Sequence, residues 1–407
     1  MKVLVISPVF PYPLDSGLKK RVAAVLQAIA QNHEVSLLCF SRSEEELSKS
    51  DVVSSSCRQV MGIPIQSCRR YGAAVFSSRL HNIFNTLTTS EPALLSQWHS
   101  PAMEAALSRS LSQGYDVVWI VRCWLNAMVR SAGVRTVLDL DDLESVAHRR
   151  KLKTLRIGLT RMLGYVEAFK LARLERKIVR EHSVVVVASE RDRRLLQSPN
   201  VFVVPNTVSL HEFTSTSADD ERPDDLIFFG NMNYRPNEDA VEYFCASIWP
   251  RIKAERPKAR LWVVGANPGK RVLQHHDGES VLVTGYVEDL RSFLATCGVV
   301  VVPIRIGGGT RIKILDALSL SKAVVSTTIG CEGLEVAHGV HLLIADRPKD
   351  FAWSCLDLMT DGVKRASLGQ NGRRLVERKY ASRDLSDAVN RVLDVVQPRT
   401  VGVPVGT

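Results

Sequence analysis

Short, continuously apolar runs alternate along this chain with longer segments in which apolar residues recur every three or four positions. Residues 3–6, 184–188 and 299–303 are runs of the first kind, and strands buried on both faces of a parallel sheet have this composition. The longer segments have the period of a helix. This alternation predicts an α/β protein with parallel sheets. The other predicted strands are 34–40, 116–121, 136–140, 201–204, 226–229, 260–264, 280–284, 323–326 and 342–344.

A polar segment, residues 214–225, has no apolar periodicity and divides this series in two. We interpret it as a linker between an N-terminal domain of residues 1–213 and a C-terminal domain of residues 226–381. The helical pattern of residues 382–396 follows, and residues 397–407 are expected to be a disordered tail. Ligands of parallel α/β sheets bind beyond the carboxyl ends of the strands. The cleft between the two domains is therefore the expected site.

Three consecutive glycines, residues 307–309, join the apolar run 299–303 to a helical pattern. Glycines at such a turn let backbone N–H groups approach a ligand, and the start of a helix attracts phosphate. Arg311 and Lys313 add positive charge, and Asp316 lies one turn further on. A phosphate cradle and a purely structural turn are both compatible with these residues alone.

The motifs of several common α/β enzymes are missing from the chain. No Gly-x-Gly-x-x-Gly follows a predicted strand, which argues against a Rossmann dehydrogenase. No Gly-x-x-x-x-Gly-Lys-Ser/Thr and no Gly-x-Ser-x-Gly occur, which argues against P-loop enzymes and α/β hydrolases. The second half instead has glycines at the ends of successive predicted strands, at Gly230, Gly265 and Gly285, before the turn at 307–309.

This order of glycine-bearing strand ends, from about residue 226 to 380, resembles the donor domain of retaining nucleotide-sugar glycosyltransferases of family 4. Residues 2–17 resemble the N-terminal domain of that family, and residues 382–396 are placed like its helix that crosses back to the first domain. The resemblance implies the GT-B fold, in which two Rossmann-like domains with parallel sheets face a central cleft. It also implies an acceptor-binding first domain and a donor-binding second domain.

The family usually carries two glutamates separated by seven residues. Asp316 matches the second, which lies near the ribose, whereas Gly308 stands at the position of the first. By resemblance, the backbone of Gly309 and Thr310 would hold the diphosphate. Arg311 and Lys313 would neutralise the leaving group, with solvent exposure of one of them as the alternative. The resemblance assigns further donor contacts to Gly17, Gly230, Asn231, Gly265, Gly285, Tyr286, Val287 and, as a replacement for a basic residue usually found after Gly230, Arg235.

Three charged residues of the first domain also follow predicted strands. Arg122 stands where relatives often have a histidine near the reacting sugar. Asp141 and Asp142 are candidates for the acceptor pocket, with a helix N-cap and a metal site as the alternatives. No metal-ligand set is visible around them. Lys313, Arg311 and the start of the helix would supply the positive charge that the leaving group needs, so we expect a reaction with a nucleoside-diphosphate sugar as co-substrate and no metal or other cofactor. The acceptor would be a hydroxyl of a glycan, a lipid-linked molecule or a small molecule.

The net charge of +10 indicates attraction to an anionic partner. The basic segment of residues 149–180 is either a surface that docks on an anionic membrane or a solvated helix. No apolar run is long enough to span a bilayer, and the eight cysteines are scattered. We therefore expect a cytoplasmic protein, with contact at the inner face of the membrane as an option.

Two other functions are compatible with parts of this pattern. A GT-B nucleotide-sugar epimerase would share the fold and the donor site. A nucleic-acid-binding or other anion-binding protein would share the positive charge, but no predicted sheet interleaves aromatic and basic residues. Sugar transfer to a hydroxyl, with retained anomeric configuration, is the function that the sequence favours.

Overall fold

The computed structural model describes residues 1–48, 50–68, 86, 89–129, 133–210 and 221–397. The first domain has a parallel seven-stranded sheet in the order β3-β2-β1-β4-β5-β6-β7. Valines, leucines and isoleucines fill its central strands, which are buried beyond their first one or two residues. The strands are β1 (Lys2–Ser7), β2 (Glu34–Ser41), β3 (Gln59–Pro64), β4 (Val117–Val121), β5 (Arg135–Asp141), β6 (Val184–Val187) and β7 (Val201–Val203).

Helices connect successive strands of this sheet, as in a doubly wound fold. The order of the sheet reverses between β1 and β4, and this is the point at which such sheets bind ligands. The described helices of the domain are α1 (Gly17–Ala30), α2 (Glu44–Ser48), α3 (Ser50–Ser54), α4 (Ala93–Gln97), α5 (Pro101–Leu111), α6 (Asn126–Val129), α7 (Glu144–Lys153), α8 (Leu159–Glu181) and α9 (Glu190–Leu196).

The second domain repeats this architecture with six parallel strands in the order β10-β9-β8-β11-β12-β13. Its order reverses between β8 and β11. The strands are β8 (Arg222–Phe229), β9 (Arg260–Val264), β10 (Val281–Gly285), β11 (Cys297–Val302), β12 (Ala323–Ser326) and β13 (Leu343–Ile344). The helices are α10 (Arg235–Tyr243), α11 (Trp249–Glu255), α12 (Lys270–Leu273), α13 (Leu290–Thr296), α14 (Ile312–Ser319), α15 (Pro348–Thr360) and α16 (Gly362–Lys379).

The last helix, α17 (Ser382–Val396), packs on the first domain although it follows the second in sequence. Its buried residues belong to the same apolar cluster as β1, β4 and α1. Arg135 of β5 also donates a hydrogen bond to the carbonyl of Val396 at 3.2 Å. The buried apolar residues of α17 are Leu385, Ala388, Val389, Val392, Leu393 and Val396. The helix therefore closes the core of the first domain.

The structure confirms the α/β class, the parallel sheets and the two-sheet arrangement, with several local differences. β8 begins at Arg222, four residues before the predicted start, because the polar residues at its beginning pair with neighbouring strands. The rest of the proposed linker, 214–220, lies outside the described residues, as do residues 398–407 of the proposed tail. The basic segment of residues 149–180 lies in two helices, α7 and α8, and in the turn between them. Strand β3, which has a half-buried pattern, was not predicted.

Within the described part of the chain, we find no helix of the length and hydrophobicity that crossing a bilayer requires.

The packing of α17 gives a prediction for stability. Leu393→Ala is expected to lower the free energy of unfolding by about 2–5 kcal/mol, because it leaves a cavity in a shared core. Val395→Ala is the control in the same helix, since Val395 is 56% exposed and such changes stay within about 0.5 kcal/mol. Urea unfolding followed by circular dichroism measures both. Equal effects of the two changes would contradict the packing.

Candidate active site

The glycine turn of residues 307–309 lies between the carboxyl end of β11 and the start of α14. This end of the sheet borders the cleft. Gly307 and Gly309 have φ angles of 95° and 73°, which favour glycine. The side chain of Arg311 folds back over the turn and donates to the carbonyls of Gly308 and Ile306. Among the residues that the structure describes, the buried Nε of Arg311 has no partner. Arg311 thus holds the turn in shape and keeps one donor unused.

The N-terminus of α1 faces this turn from the first domain. A Cβ atom on Gly17 would lie 3.7 Å from Cδ1 of Ile312, the first residue of α14. Ser16 caps α1 by accepting a hydrogen bond from the backbone N–H of Lys19 at 3.4 Å. Two helix N-termini, each with positive partial charge, therefore converge on one point of the cleft. Such a point attracts an anion.

Lys313 brings a basic side chain to the end of β8. Its ammonium donates to Oδ1 of Asn237 at 2.8 Å and lies 4.0 Å from the ring centroid of Phe228. A Cβ on Gly230 would be 3.1 Å from the same ammonium. Burial, followed by the nearby charge of Arg311, holds the pKa of Lys313 well below its ordinary value. Within the described chain Lys313 forms no ion pair, so an anionic ligand would relieve this charge.

Three strand ends of the second domain pack backbone against backbone beside Lys313. A Cβ on Gly265 would lie only 1.9 Å from the carbonyl oxygen of Gly230, so this close approach requires glycine. The N–H of Gly265 donates to the carbonyl of Gly285 at 2.9 Å. Beyond this row, Tyr286 is 62% exposed and Val287 is half-buried.

Two polar residues near Gly230 are used within their own loop and helix. Asn231 accepts from the N–H of Asn233 through its side chain and from the Asn237 amide through its backbone carbonyl. Arg235 pairs with Glu238 and Glu242 of α10. The structure therefore places Lys313, and not Arg235, beside Gly230. Neither Arg311 nor Lys313 points to solvent.

Asp316 contacts the first domain directly. Its buried carboxylate accepts a hydrogen bond from the ammonium of Lys20 at 2.7 Å. Two further bonds cross the cleft nearby: Asn206 donates to Oγ1 of Thr310 at 2.6 Å, and Arg150 donates to the carbonyl of Gly307 at 3.0 Å. The glycine turn and the helix after it are thus held from the first domain at three points.

A fully buried guanidinium, that of Arg21, organises the carboxyl end of β5. It donates to both oxygens of Asp139 and also to the backbone carbonyl of Val204 and Oδ1 of Asn206, each at 3.0 Å. Burial opposes its charge, but Asp139 and Asp141 raise the pKa of Arg21 above its ordinary value. Arg21 thereby positions Asn206, whose amide reaches Thr310.

Arg122 and the carboxylates after β5 form a second cluster at the cleft. Arg122 pairs with Asp141 at 3.0 Å and also with Asp142 and Glu144. Burial alone would lower the pKa of Arg122, but Asp141 and Glu144 outweigh it and raise the pKa. The N-cap of α7 is Leu143, without a side-chain hydrogen bond. The helix-cap alternative for Asp141 and Asp142 is therefore wrong, because both side chains are drawn to Arg122.

Asp142 also fills the space beside the glycine turn. A Cβ on Gly308 would lie 2.9 Å from Oδ2 of Asp142, and a Cβ on Gly309 would lie 2.9 Å from its Cβ. A side chain at position 308 would therefore collide with the first domain in this arrangement. The carboxylate of Asp142 therefore lies directly beside Gly308.

The structure brings residues predicted for the site from both domains to one cleft. Those that meet there include Gly17, Arg122, Asp142, Gly308, Gly309, Thr310, Lys313 and Asp316. Sequence reasoning missed Lys20, Arg150, Asn206 and Asn237. Asn206 follows Pro205 shortly after the end of β7. A polar residue just beyond a strand end could have indicated a site residue, as the glycines at other strand ends did. In the described chain, no group of three or more His, Cys, Asp or Glu side chains is arranged to hold a metal ion.

The environment of Lys313 gives a prediction for stability, and a second buried lysine serves as a control with the opposite expected effect. Lys313→Met is expected to raise the melting temperature at pH 7, because it removes a buried charge. Since the folded-state pKa of Lys313 is lowered, stability rises with pH through that pKa, and the gain should shrink as the pH increases.

Lys322→Met is the matched control. Lys322 is also buried, but it pairs with Glu221 at 2.9 Å and donates to the carbonyl of Ala295 at 2.6 Å. Its removal leaves that carbonyl unsatisfied, so stability should fall by about 1–3 kcal/mol. Calorimetry of both variants across pH measures the contrast. A lower melting temperature for Lys313→Met would contradict the environment described for this lysine.

Residues 223–361 match the protein family described as Glycosyl transferases group 1. Over 399 residues the chain is 20% identical to an uncharacterized 44.6 kDa protein in the cps region of Klebsiella pneumoniae, and the match covers 95% of this chain and 98% of that protein.

Solved structures resemble the whole chain. Sucrose-phosphate synthase from Thermosynechococcus elongatus superposes with a TM-score of 0.69 at 17% identity, covering 97% of this chain and 98% of that one. Alr3699/HepE of Anabaena in complex with UDP-glucose gives 0.66 at 14% identity, covering 97% and 99%. TarM of S. aureus, in a complex that includes UDP, gives 0.67 at 10% identity, covering 98% and 100%. The chain thus has the GT-B fold, and its residues 223–361 match the group 1 glycosyltransferases.

Proposed function

We propose that the protein transfers a sugar from a nucleoside-diphosphate sugar to an acceptor hydroxyl and retains the anomeric configuration. One observation carries this proposal: the N-termini of α1 and α14 converge on the glycine turn, with Lys313 and Arg311 beside it. A diphosphate is the anion that fits two helix N-termini and two cations. The match to group 1 glycosyltransferases and the UDP complexes of Alr3699/HepE and TarM support this ligand class.

The chemistry requires stabilisation of the leaving group. The acceptor oxygen forms a bond to the anomeric carbon while the bond from that carbon to the β-phosphate oxygen breaks. The proton of the acceptor hydroxyl passes to the departing phosphate on the same face of the sugar, so no protein nucleophile is needed. Lys313, the remaining donor of Arg311 and the two helix N-termini stabilise the charge that develops on the phosphate.

Donor binding has to open the contact between Lys20 and Asp316. The Asp316 carboxylate accepts a hydrogen bond from the ammonium of Lys20 across the cleft. Ribose hydroxyls would replace that ammonium on Asp316, and Lys20, 31% exposed in its side chain, would turn to the diphosphate. Gly285, Tyr286 and Val287 border the nucleobase in this account. Closure of the domains over the donor then excludes water and limits hydrolysis.

Asp142 and Arg122 face the turn from the first domain and form the sugar and acceptor side of the site. Asp142 lies beside Gly308. Arg122 forms ion pairs with both Asp141 and Asp142 and so holds the Asp142 carboxylate in place. A carboxylate held in this way accepts hydrogen bonds from sugar hydroxyls. The acceptor is a hydroxyl of a glycan, a lipid-linked molecule or a small molecule, and we place the enzyme in the cytoplasm.

A substitution at Asp316 tests the donor site. Asp316→Ala is expected to lower kcat/KM by about 100-fold, because hydrogen bonds to a charged group contribute about 1.5–3 kcal/mol each. Initial rates of nucleoside-diphosphate release, with and without acceptor, measure the effect. Asp350→Ala, at an exposed position of α15, is the control and should keep full activity.

Near-normal turnover of a folded Asp316→Ala protein would remove Asp316 from the site. The same assay separates transfer from epimerisation, since only a transferase releases the diphosphate in proportion to the acceptor consumed.

A chelator tests the proposal that the protein supplies the positive charge by itself. EDTA is expected to leave the initial rate of transfer largely unchanged, because Lys313, Arg311 and the helix N-termini already face the phosphate. Activity that is lost in EDTA and restored by added Mg²⁺ would overturn this metal-free account.

A further inference from the structure

Helix α8 carries an exposed apolar stripe on the side that faces away from the domain. Leu159, Met162, Val166 and Phe169 are 61%, 63%, 37% and 58% exposed. Their spacing of three, four and three residues places them on one helix face. The opposite face of α8 is buried in the domain through Leu171, Leu174 and Ile178. Ile157, in the turn that leads into α8, is 92% exposed.

Cations continue the same face toward the C-terminus of α8. Arg173, Arg176, Lys177 and Arg180 follow the stripe at helical spacing and, together with Glu181, line a surface hollow of about 510 Å³. Further exposed cations lie at the other end, at the end of α7 and in the turn after it. These are Lys151, Lys153 and Arg156.

We propose that this docking face, residues 156–180, binds the surface of a bilayer rich in anionic lipid. A helix that lies in the plane of a membrane interface places its apolar residues among the acyl chains and its cations among the headgroup phosphates. The stripe and the flanking cations of α8 provide both. Aliphatic residues dominate the stripe, whereas a surface for single-stranded nucleic acid would present aromatic platforms between its cations.

The docking face is linked to the cleft through α7. That helix begins just after Asp142, and its Arg150 donates to the carbonyl of Gly307 in the glycine turn. If sugar transfer occurs as proposed, a bilayer on this face lies beside the first-domain side of the cleft, which favours an acceptor carried on a lipid. Docking itself does not depend on the transfer reaction, so the two proposals can fail separately.

Co-sedimentation with vesicles tests the docking face in the full-length protein. The protein is expected to sediment with vesicles of phosphatidylcholine and phosphatidylglycerol, but not with phosphatidylcholine alone. Added salt should reverse the binding, because it screens the cations. Sedimentation with neither type of vesicle would overturn the proposal.

Two pairs of variants locate the binding surface. Met162→Gln with Phe169→Gln, and separately Arg173→Gln with Arg176→Gln, are expected to reduce vesicle binding by about tenfold or more. The matched controls replace exposed residues of α15 and α16, Trp353→Gln with Val363→Gln and Arg374→Gln with Arg378→Gln, and should bind as the wild type does. Equal binding by docking-face and control variants would overturn the proposal.

Measurements in solution separate membrane docking from misfolding and from self-association of the chain. The Met162→Gln/Phe169→Gln protein should keep its melting temperature and its turnover of a soluble acceptor, because these residues lie outside the cleft. Light scattering gives the oligomeric state of the wild type. A dimer that this double substitution disrupts would show that a second copy of the chain covers the stripe, and the membrane proposal would then be wrong.

Discussion

The site depends on a guanidinium that has no access to water. Arg21 of α1 joins the end of β5, through Asp139, to the end of β7, through Val204 and Asn206. Breaking one side of a buried pair costs about 3–5 kcal/mol, because the other charge is left uncompensated. The first domain therefore cannot shift these three segments independently. Because the three segments are held together, the Asn206 side chain reaches Thr310 beside the glycine turn. The same contacts fix the position of α1, whose N-terminus faces that turn.

The two walls of the cleft differ in how well their positive charges are compensated. On the second domain, burial lowers the pKa of Arg311 and of Lys313, so their positive charges are incompletely compensated. On the first domain, carboxylates surround Arg122 and raise its pKa. An anion on one wall and hydroxyls beside the other would satisfy both. The incompletely compensated cations of the second domain reduce the stability of the fold, a common cost of binding function.

The elements of this fold were more predictable from the sequence than the contacts across its cleft. Helix α17 begins and ends at the residues that its apolar period predicts, since one face alone is buried. Lys20 and Asn206 escaped prediction because their partners, Asp316 and Thr310, lie in the other domain, and no local pattern encodes how two domains meet. Likewise Arg235 is the first basic residue after Gly230 in the sequence, but within α10 its side chain pairs with Glu238.

Helix α17 also sets an order of events during synthesis. Domains generally fold as the ribosome releases them, with the N-terminal domain first. Here the apolar cluster around β1, β4 and α1 includes residues of α17, which are translated after the entire second domain. The core of the first domain thus stays incomplete while the second domain folds. If a ribosome stalls within the last helix, both domains have been synthesised, but the core of the first domain still lacks the residues of α17.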